Sequence, residues 1–93
     1  MHKMRVGLIG CGNIGADVCI ALQKGDIPAE IAALTDIDRS RAEFLASTYR
    51  LSATICDLEE NAASVDFLVE CADAGVVANV VDAAIRHRRD CLI

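Results

Sequence analysis

A chain of 93 residues, 54% apolar and 25% charged, is one small domain able to bury a core, and such a composition excludes long disorder. Its apolar runs reach only a few residues, against the roughly 20 that a spanning helix needs, so no membrane segment is expected. The net charge of −5 argues against nucleic acid or an anionic membrane as the main partner.

Arg5–Ile9 is a short apolar run closed by glycine and predicts a first strand. Ile14, Val18, Ala21 and Leu22 recur at helical spacing, predicting a helix over 14–24 that Gly25, Asp26 and Pro28 stop. Glu30–Thr35 reads as a second buried strand. Asp38 caps a helix over 39–49 with Ala42, Leu45 and Ala46 inward. A short third strand is predicted over 53–56, a turn of helix over 57–63 and a fourth strand over 66–71. Residues 76–88 form a helix whose stripe is Val77, Val80, Val81, Ala84 and Ile85. Cys91-Leu92-Ile93 begins a fifth strand.

Strands alternating with helices mean βαβ units joined by right-handed crossovers. The expected fold is therefore α/β, a doubly wound parallel sheet in the order 3-2-1-4-5. The sequence stops inside a core strand, so these residues are expected to be the N-terminal part of a longer protein. Five cysteines, at 11, 19, 56, 71 and 91, are odd in number and form no CxxC pair. They predict reduced, mostly buried thiols in the cytoplasm, not a disulfide framework or a zinc site. The N-terminus holds no run long enough for a signal peptide.

The chemistry concentrates in Gly10-Cys11-Gly12-Asn13-Ile14-Gly15, a GxGxxG directly between a strand and a helix. Gly10 allows the tight turn, Gly12 lets backbone approach a pyrophosphate, and Gly15 lets the helix pack closely on the sheet. The first N–H groups of the helix then face the phosphates. Asp36 follows the second strand, 21 positions after Gly15. A carboxylate there accepts from ribose hydroxyls and repels a 2′-phosphate, which favours NAD over NADP. Arg39 and Arg41 read as a solvated helix face, although a nearby arginine can accommodate that phosphate. At the end of the fourth strand, the small Cys71 and Ala72 let a cofactor lie across the sheet edge, while Asp73 reads as a helix cap. Cys71 has no histidine near it in sequence and is not expected to be a nucleophile. His87, among Arg86, Arg88 and Arg89, complements a helix C-terminus, and His2 is terminal. No triad, paired-carboxylate site or metal-ligand spacing is present, so neither a catalytic residue nor a metal is expected.

The run Val6 to Gly15, then Asp36, then Val69-Glu70-Cys71-Ala72, resembles the N-terminal domain of the L-aspartate dehydrogenase family. That resemblance implies a Rossmann-type domain and an enzyme that oxidises L-aspartate, a CH–NH2 donor, with NAD or NADP to iminoaspartate. It implies that Gly10, Gly12, Asn13, Ile14 and Gly15 line the pyrophosphate, that Asp36 meets the ribose and that Ala72 borders the nicotinamide. It further implies a second α+β domain, which carries the catalytic histidine and the homo-oligomer contacts. Residues 32–43 are also similar to sugar-type oxidoreductases of the Gfo/Idh/MocA family. Those show proline and histidine where this chain has Ala72-Asp73-Ala74-Gly75. Gly12–Asp17 resembles acylating acetaldehyde dehydrogenase. A non-enzymatic alternative is a dinucleotide-sensing regulatory module, which keeps the loop and Asp36 without a substrate domain.

Overall fold

All strand pairings are parallel, and the sheet runs in the expected order. The computed structural model describes residues 3–25, 28–72 and 74–93. The strands are β1 (Met4–Ile9), β2 (Ala29–Thr35), β3 (Thr54–Ile55), β4 (Phe67–Glu70) and β5 (Asp90–Leu92). The helices are α1 (Asn13–Gln23), α2 (Arg39–Thr48), α3 (Leu58–Ser64) and α4 (Val77–His87), the last entered through a 3-10 turn at Ala74–Val76.

The central strands are apolar almost without interruption because helices cover both of their faces. On one face, Val6, Leu8 and Leu34 pack with Cys19 of α1 and with Ala42 and Leu45 of α2. On the other, Ile9, Ala33 and Leu68 pack with Ala62 of α3 and with Val80, Ala83 and Ala84 of α4. Ala42 and Leu45 are inward as expected, but the stripes of α1 and α4 are narrower than the sequence implies. α1 buries Gly15 and Cys19 and turns Ile14 outward; α4 leaves Val81 and Ile85 exposed.

α3 is longer than one turn. Asp57 caps it, its carboxylate accepting from the Glu60 N–H at 2.9 Å. α3 also carries the fully buried Asn61 under the middle of β1, where Gly7 leaves room. A Cβ on Gly7 would lie 1.8 Å from Asn61 Oδ1. Asn61 Nδ2 donates to Leu8 O at 3.3 Å and to Thr35 Oγ1 at 2.9 Å, and Thr35 Oγ1 donates to Cys56 O at 2.9 Å. Two side chains, Asn61 and Thr35, thus tie β1, β2 and the end of β3 together. The β1–β2 register slips between Val6 and Gly7, at this same level.

α3 and α4 are clamped at the surface. The Glu59 carboxylate accepts from Arg86 of α4 and lies 2.8 Å from His87 Nε2. His87 therefore serves an ion-pair cluster at the end of its helix. These partners, Arg86 above all, hold the Glu59 carboxyl down at about 2, against its ordinary 4.5. A depressed carboxyl contributes stability above its unfolded pKa and loses it as pH falls through the folded one. Chemical denaturation is therefore expected to show stability falling between about pH 4.5 and 2, with a shallower slope in Glu59→Gln. Equal slopes in the two proteins would contradict the clamp.

Candidate functional site

β1 is flanked by β2 on one side and β4 on the other, so the chain leaves it in both directions. The crevice at the carboxyl ends of such strands is where open α/β sheets place ligands. Here it is a cavity of about 420 Å³. Ile9, Gly10, Cys11 and Gly12 line it from β1, Thr35, Asp36 and Ile37 from β2, and Cys71 and Ala72 from β4. Arg41 of α2, Leu58 of α3, and Val76 and Asn79 at α4 complete the wall.

The three glycines of the loop do different things. Gly10 has φ +96°, and a Cβ there would lie 2.6 Å from the Ala72 N, so the turn needs glycine for its backbone and its packing. Gly15 lies against the Gly10 carbonyl, where a Cβ would sit at 3.1 Å, with Leu45 Cδ2 at 3.7 Å. It lets α1 close on the loop itself, a more local contact than the helix–sheet packing expected from sequence. At Gly12 a Cβ would meet nothing within 4 Å. Gly12 is also the N-cap of α1, with no side-chain cap and no acid in the first turn. The first N–H groups of a helix have no acceptor within it, and they carry its positive dipole end. No packing constraint accounts for a glycine at this position. A group that comes close from outside does, and a phosphate is the group the helix end attracts.

The Asp36 carboxylate lies at the seam between loop and α2. Oδ2 accepts from the Cys11 N–H at 2.8 Å, and Oδ1 accepts from the Asp38 N–H at 2.8 Å. Its side chain is only 5% exposed. Each oxygen keeps further acceptor capacity toward the cavity that the residue lines. The Glu70 carboxylate fastens the opposite wall in the same manner, accepting from the Ala72 N–H at 2.5 Å.

Residues 10–93 match the family model described as the homoserine dehydrogenase NAD binding domain. The chain belongs to that family. The L-aspartate dehydrogenase of Methanosarcina barkeri is 36% identical over 91 residues, covering 97% of this chain and 34% of that protein. An acetaldehyde dehydrogenase of Sphingobium yanoikuyae is 50% identical over 38 residues, 41% of this chain and 12% of that protein. Among solved structures, myo-inositol dehydrogenase from Lactobacillus casei, in complex with NAD(H) and myo-inositol, superposes with a TM-score of 0.90 at 25% identity. That match covers 97% of this chain and 27% of the other. The chain spans about a third of the length of the L-aspartate dehydrogenases it matches.

NAD is thus the cofactor of this NAD-binding domain, and the open Gly12 cradle fits its pyrophosphate. Of the residues singled out in the sequence, Gly10, Cys11, Gly12, Asp36, Cys71 and Ala72 line the cavity. Asn13 and Ile14 are exposed at the start of α1, Gly15 is buried, and none of these three lines the cavity. Asp73 lies outside the described residues. Arg39 pairs with Glu43 at 3.2 Å on an exposed helix face, as expected. Arg41 does not share that role: it lines the cavity, with Nε 3.6 Å from Asp38 Oδ2 and 3.9 Å from Asp36 Oδ1. Its offset from Asp38 is the usable signal, since three residues along a helix return the side chain to the capping side. Ile37, 98% exposed beside Asp36, is a second lining residue that pattern reading passes over.

The two cavity thiols are not poised to react. Burial, then the neighbouring Asp36, pushes the Cys11 thiol up to about 12; burial, then Glu70, pushes Cys71 up to about 11. Both are protonated at neutral pH, whereas a nucleophile must be a thiolate. Among the described residues no His/Cys/Asp/Glu cluster could hold a metal, and no helix is long and apolar enough to cross a membrane.

Proposed function

We propose that these 93 residues are the cofactor-holding part of an L-aspartate dehydrogenase. The observation that carries the cofactor half of this reading is Gly12, a glycine with empty space where its side chain would be, capping a helix that opens onto the cavity. The substrate half is supported by relatives bearing that name across nearly the whole chain. In this reading the pyrophosphate lies on Gly10, Cys11 and Gly12 and on the amides of Asn13, Ile14 and Gly15. Asp36 takes the adenosine ribose, and Cys71 and Ala72 border the nicotinamide. Bound there, NAD would supply the hydride acceptor for the aspartate Cα–H, with the amine losing a proton. The resulting iminoaspartate takes up water and releases ammonia and oxaloacetate. A cytoplasmic homo-oligomer, assembled through residues other than these, belongs to the same proposal.

The sugar-dehydrogenase reading is second, favoured by the superposition on myo-inositol dehydrogenase. A shared fold does not choose a substrate, however. Calorimetry of the chain with NAD tests the cofactor half. Following NADH formation by the protein that carries this sequence, with L-aspartate, myo-inositol and acetaldehyde in turn, tests the substrate half. Aspartate is expected to be turned over; turnover of another substrate alone would replace the reading, and NAD binding with no turnover would favour a sensing module.

Asp36→Ala is expected to raise the NADP-to-NAD affinity ratio, since the ribose acceptor and its charge both go. The variant also strands the part-buried Cys11 N–H, which costs about 1–3 kcal/mol of stability, while the exposed Asp38 N–H turns to water. Titration with both nucleotides beside a urea melt checks the pair of effects, and an unchanged ratio would remove Asp36 from the ribose.

A further inference from the structure

The nucleotide cavity lies at the carboxyl ends of the strands. A second cavity, of about 330 Å³, lies at the amino ends of β1, β2 and β3. It exists because β3 is short. β2 runs for 7 residues, and β3 pairs with only Ala33 and Leu34 of them. β3 thus leaves residues 29–32 uncovered on that side, and they line the cavity. The far wall is the turn that ends α2. There the Leu51 N–H donates to Ala46 O at 2.9 Å and Arg50 takes φ +53°, a reversal that brings Arg50 and Ser52 to the cavity. Gln23 Nε2, at the end of α1, donates to Tyr49 O at 2.9 Å and fastens α1 to the same turn.

The charge of this hollow runs against that of the chain. Lys3, Arg5 and Arg50 line it, three of the 9 lysines and arginines in a chain of net charge −5. Glu30 is the one acid in the lining among the described residues. Among those residues no carboxylate pairs with any of the three cations, whereas Arg39, Arg41 and Arg86 all lie beside carboxylates. Arg5 gives its Nε to Ser64 O at 3.1 Å and keeps the rest of its fork. Cys19, also in the lining, is 1% exposed. Burial pushes its thiol up to about 11, so it adds no negative charge at neutral pH. Three like charges around one hollow repel one another, and an anion among them turns that repulsion into attraction.

We propose that this amino-end cavity is a second binding site, which takes a small doubly charged oxyanion, a dicarboxylate or a phosphate, on Lys3, Arg5 and Arg50. A guanidinium meets two oxygens of either group at once, and an ammonium adds a compact charge. A singly charged ion balances one cation and leaves the other two opposed, so the site favours a dianion. The two cavities lie at opposite ends of the same strands, and both can be filled together. The inference does not depend on the nucleotide reading.

Calorimetric titration of the 93-residue chain with succinate, inorganic phosphate and acetate, at constant ionic strength, tests this. Succinate or phosphate is expected to bind at least about tenfold more tightly than acetate, and the tighter of the two names the class. Arg50→Gly is the decisive variant. Glycine takes a positive φ without strain, so this variant should melt no lower than the unaltered chain, yet lose about fivefold or more of the dianion affinity. Lys3→Ala should lose severalfold as well. Neither change should alter a titration with NAD, and saturating NAD should leave dianion binding in place. Dianion affinity that is unmoved in both variants, or no better than that of acetate, would overturn the proposal. So would displacement of the dianion by NAD, which would put it on the glycine loop. A chain that binds the dianion and not NAD would leave this site standing and bring down the nucleotide reading instead.

Discussion

Gly12→Val is expected to fold and to lose NAD. The backbone at Gly12 has φ −86° and ψ −150°, an extended conformation with φ on the side that L residues favour. A Cβ there meets no protein atom within 4 Å. The structural cost is that of a poorer N-cap, about 1 kcal/mol at most. The same Cβ and its two methyl groups would occupy the space in front of the first helical amides. A pyrophosphate held at a distance of one side chain loses its hydrogen bonds to them, and an affinity loss of about a hundredfold or more is expected. Calorimetry with NAD, beside a thermal melt, checks both halves. A Gly12→Val variant that melts normally and still binds NAD as tightly would show that the diphosphate does not lie on this loop. Gly10→Ala makes the opposite control. Its Cβ would strike the Ala72 backbone at 2.6 Å from a residue with φ +96°, so that variant should lose stability first and binding as a result.

The largest effect on stability is expected at Gly7→Ala. The added Cβ would stand 1.8 Å from Asn61 Oδ1 and 3.1 Å from Val65 Cγ2, in the middle of the sheet. Asn61 must leave or the α3 backbone must shift. If Asn61 leaves, the bonds from its Nδ2 to Leu8 O and Thr35 Oγ1 go too, each worth about 1–3 kcal/mol when a buried partner is stranded. Overpacking adds about 1–3 kcal/mol. A loss of about 3 kcal/mol or more is a large share of the roughly 5–15 kcal/mol that holds a typical domain folded. Asn61→Ala should remove much of the conflict: its Oδ1 has no hydrogen-bond partner among the described residues, and the truncated side chain leaves room for the methyl group. Urea denaturation of the two single variants and the double variant should therefore show the double variant more stable than the sum predicts. Strict additivity would mean that Gly7 and Asn61 do not share the space the structure gives them.

What the sequence could disclose is bounded by chain distance. β1, β2 and β4 are legible to within two residues because a strand covered on both faces is apolar throughout, and the Gly10–Gly15 spacing locates the turn between β1 and α1. The cradle at Gly12 and the acid at Asp36 follow from the same local pattern. The contact of Gly7 with Asn61 joins residues more than fifty positions apart, and no periodicity encodes it. A glycine inside a strand does mark a close approach, yet it does not say by what. The fastening of Cys11 by Asp36 and of Ala72 by Glu70 is likewise invisible, because a carboxylate that binds backbone amides leaves no trace in the partner's identity. Arg41 escapes for a different reason. A cationic residue on a polar helix is usually solvated, and only the direction in which α2 leaves Asp36 puts this one at the cavity.

The doubled duty of Asp36 limits how cofactor choice can evolve in this chain. If Asp36 meets the ribose as proposed, exchanging it is the direct route to a different preference, but the same carboxylate staples the glycine turn to the next helix. A lineage that gave it up would loosen the very turn it was retuning.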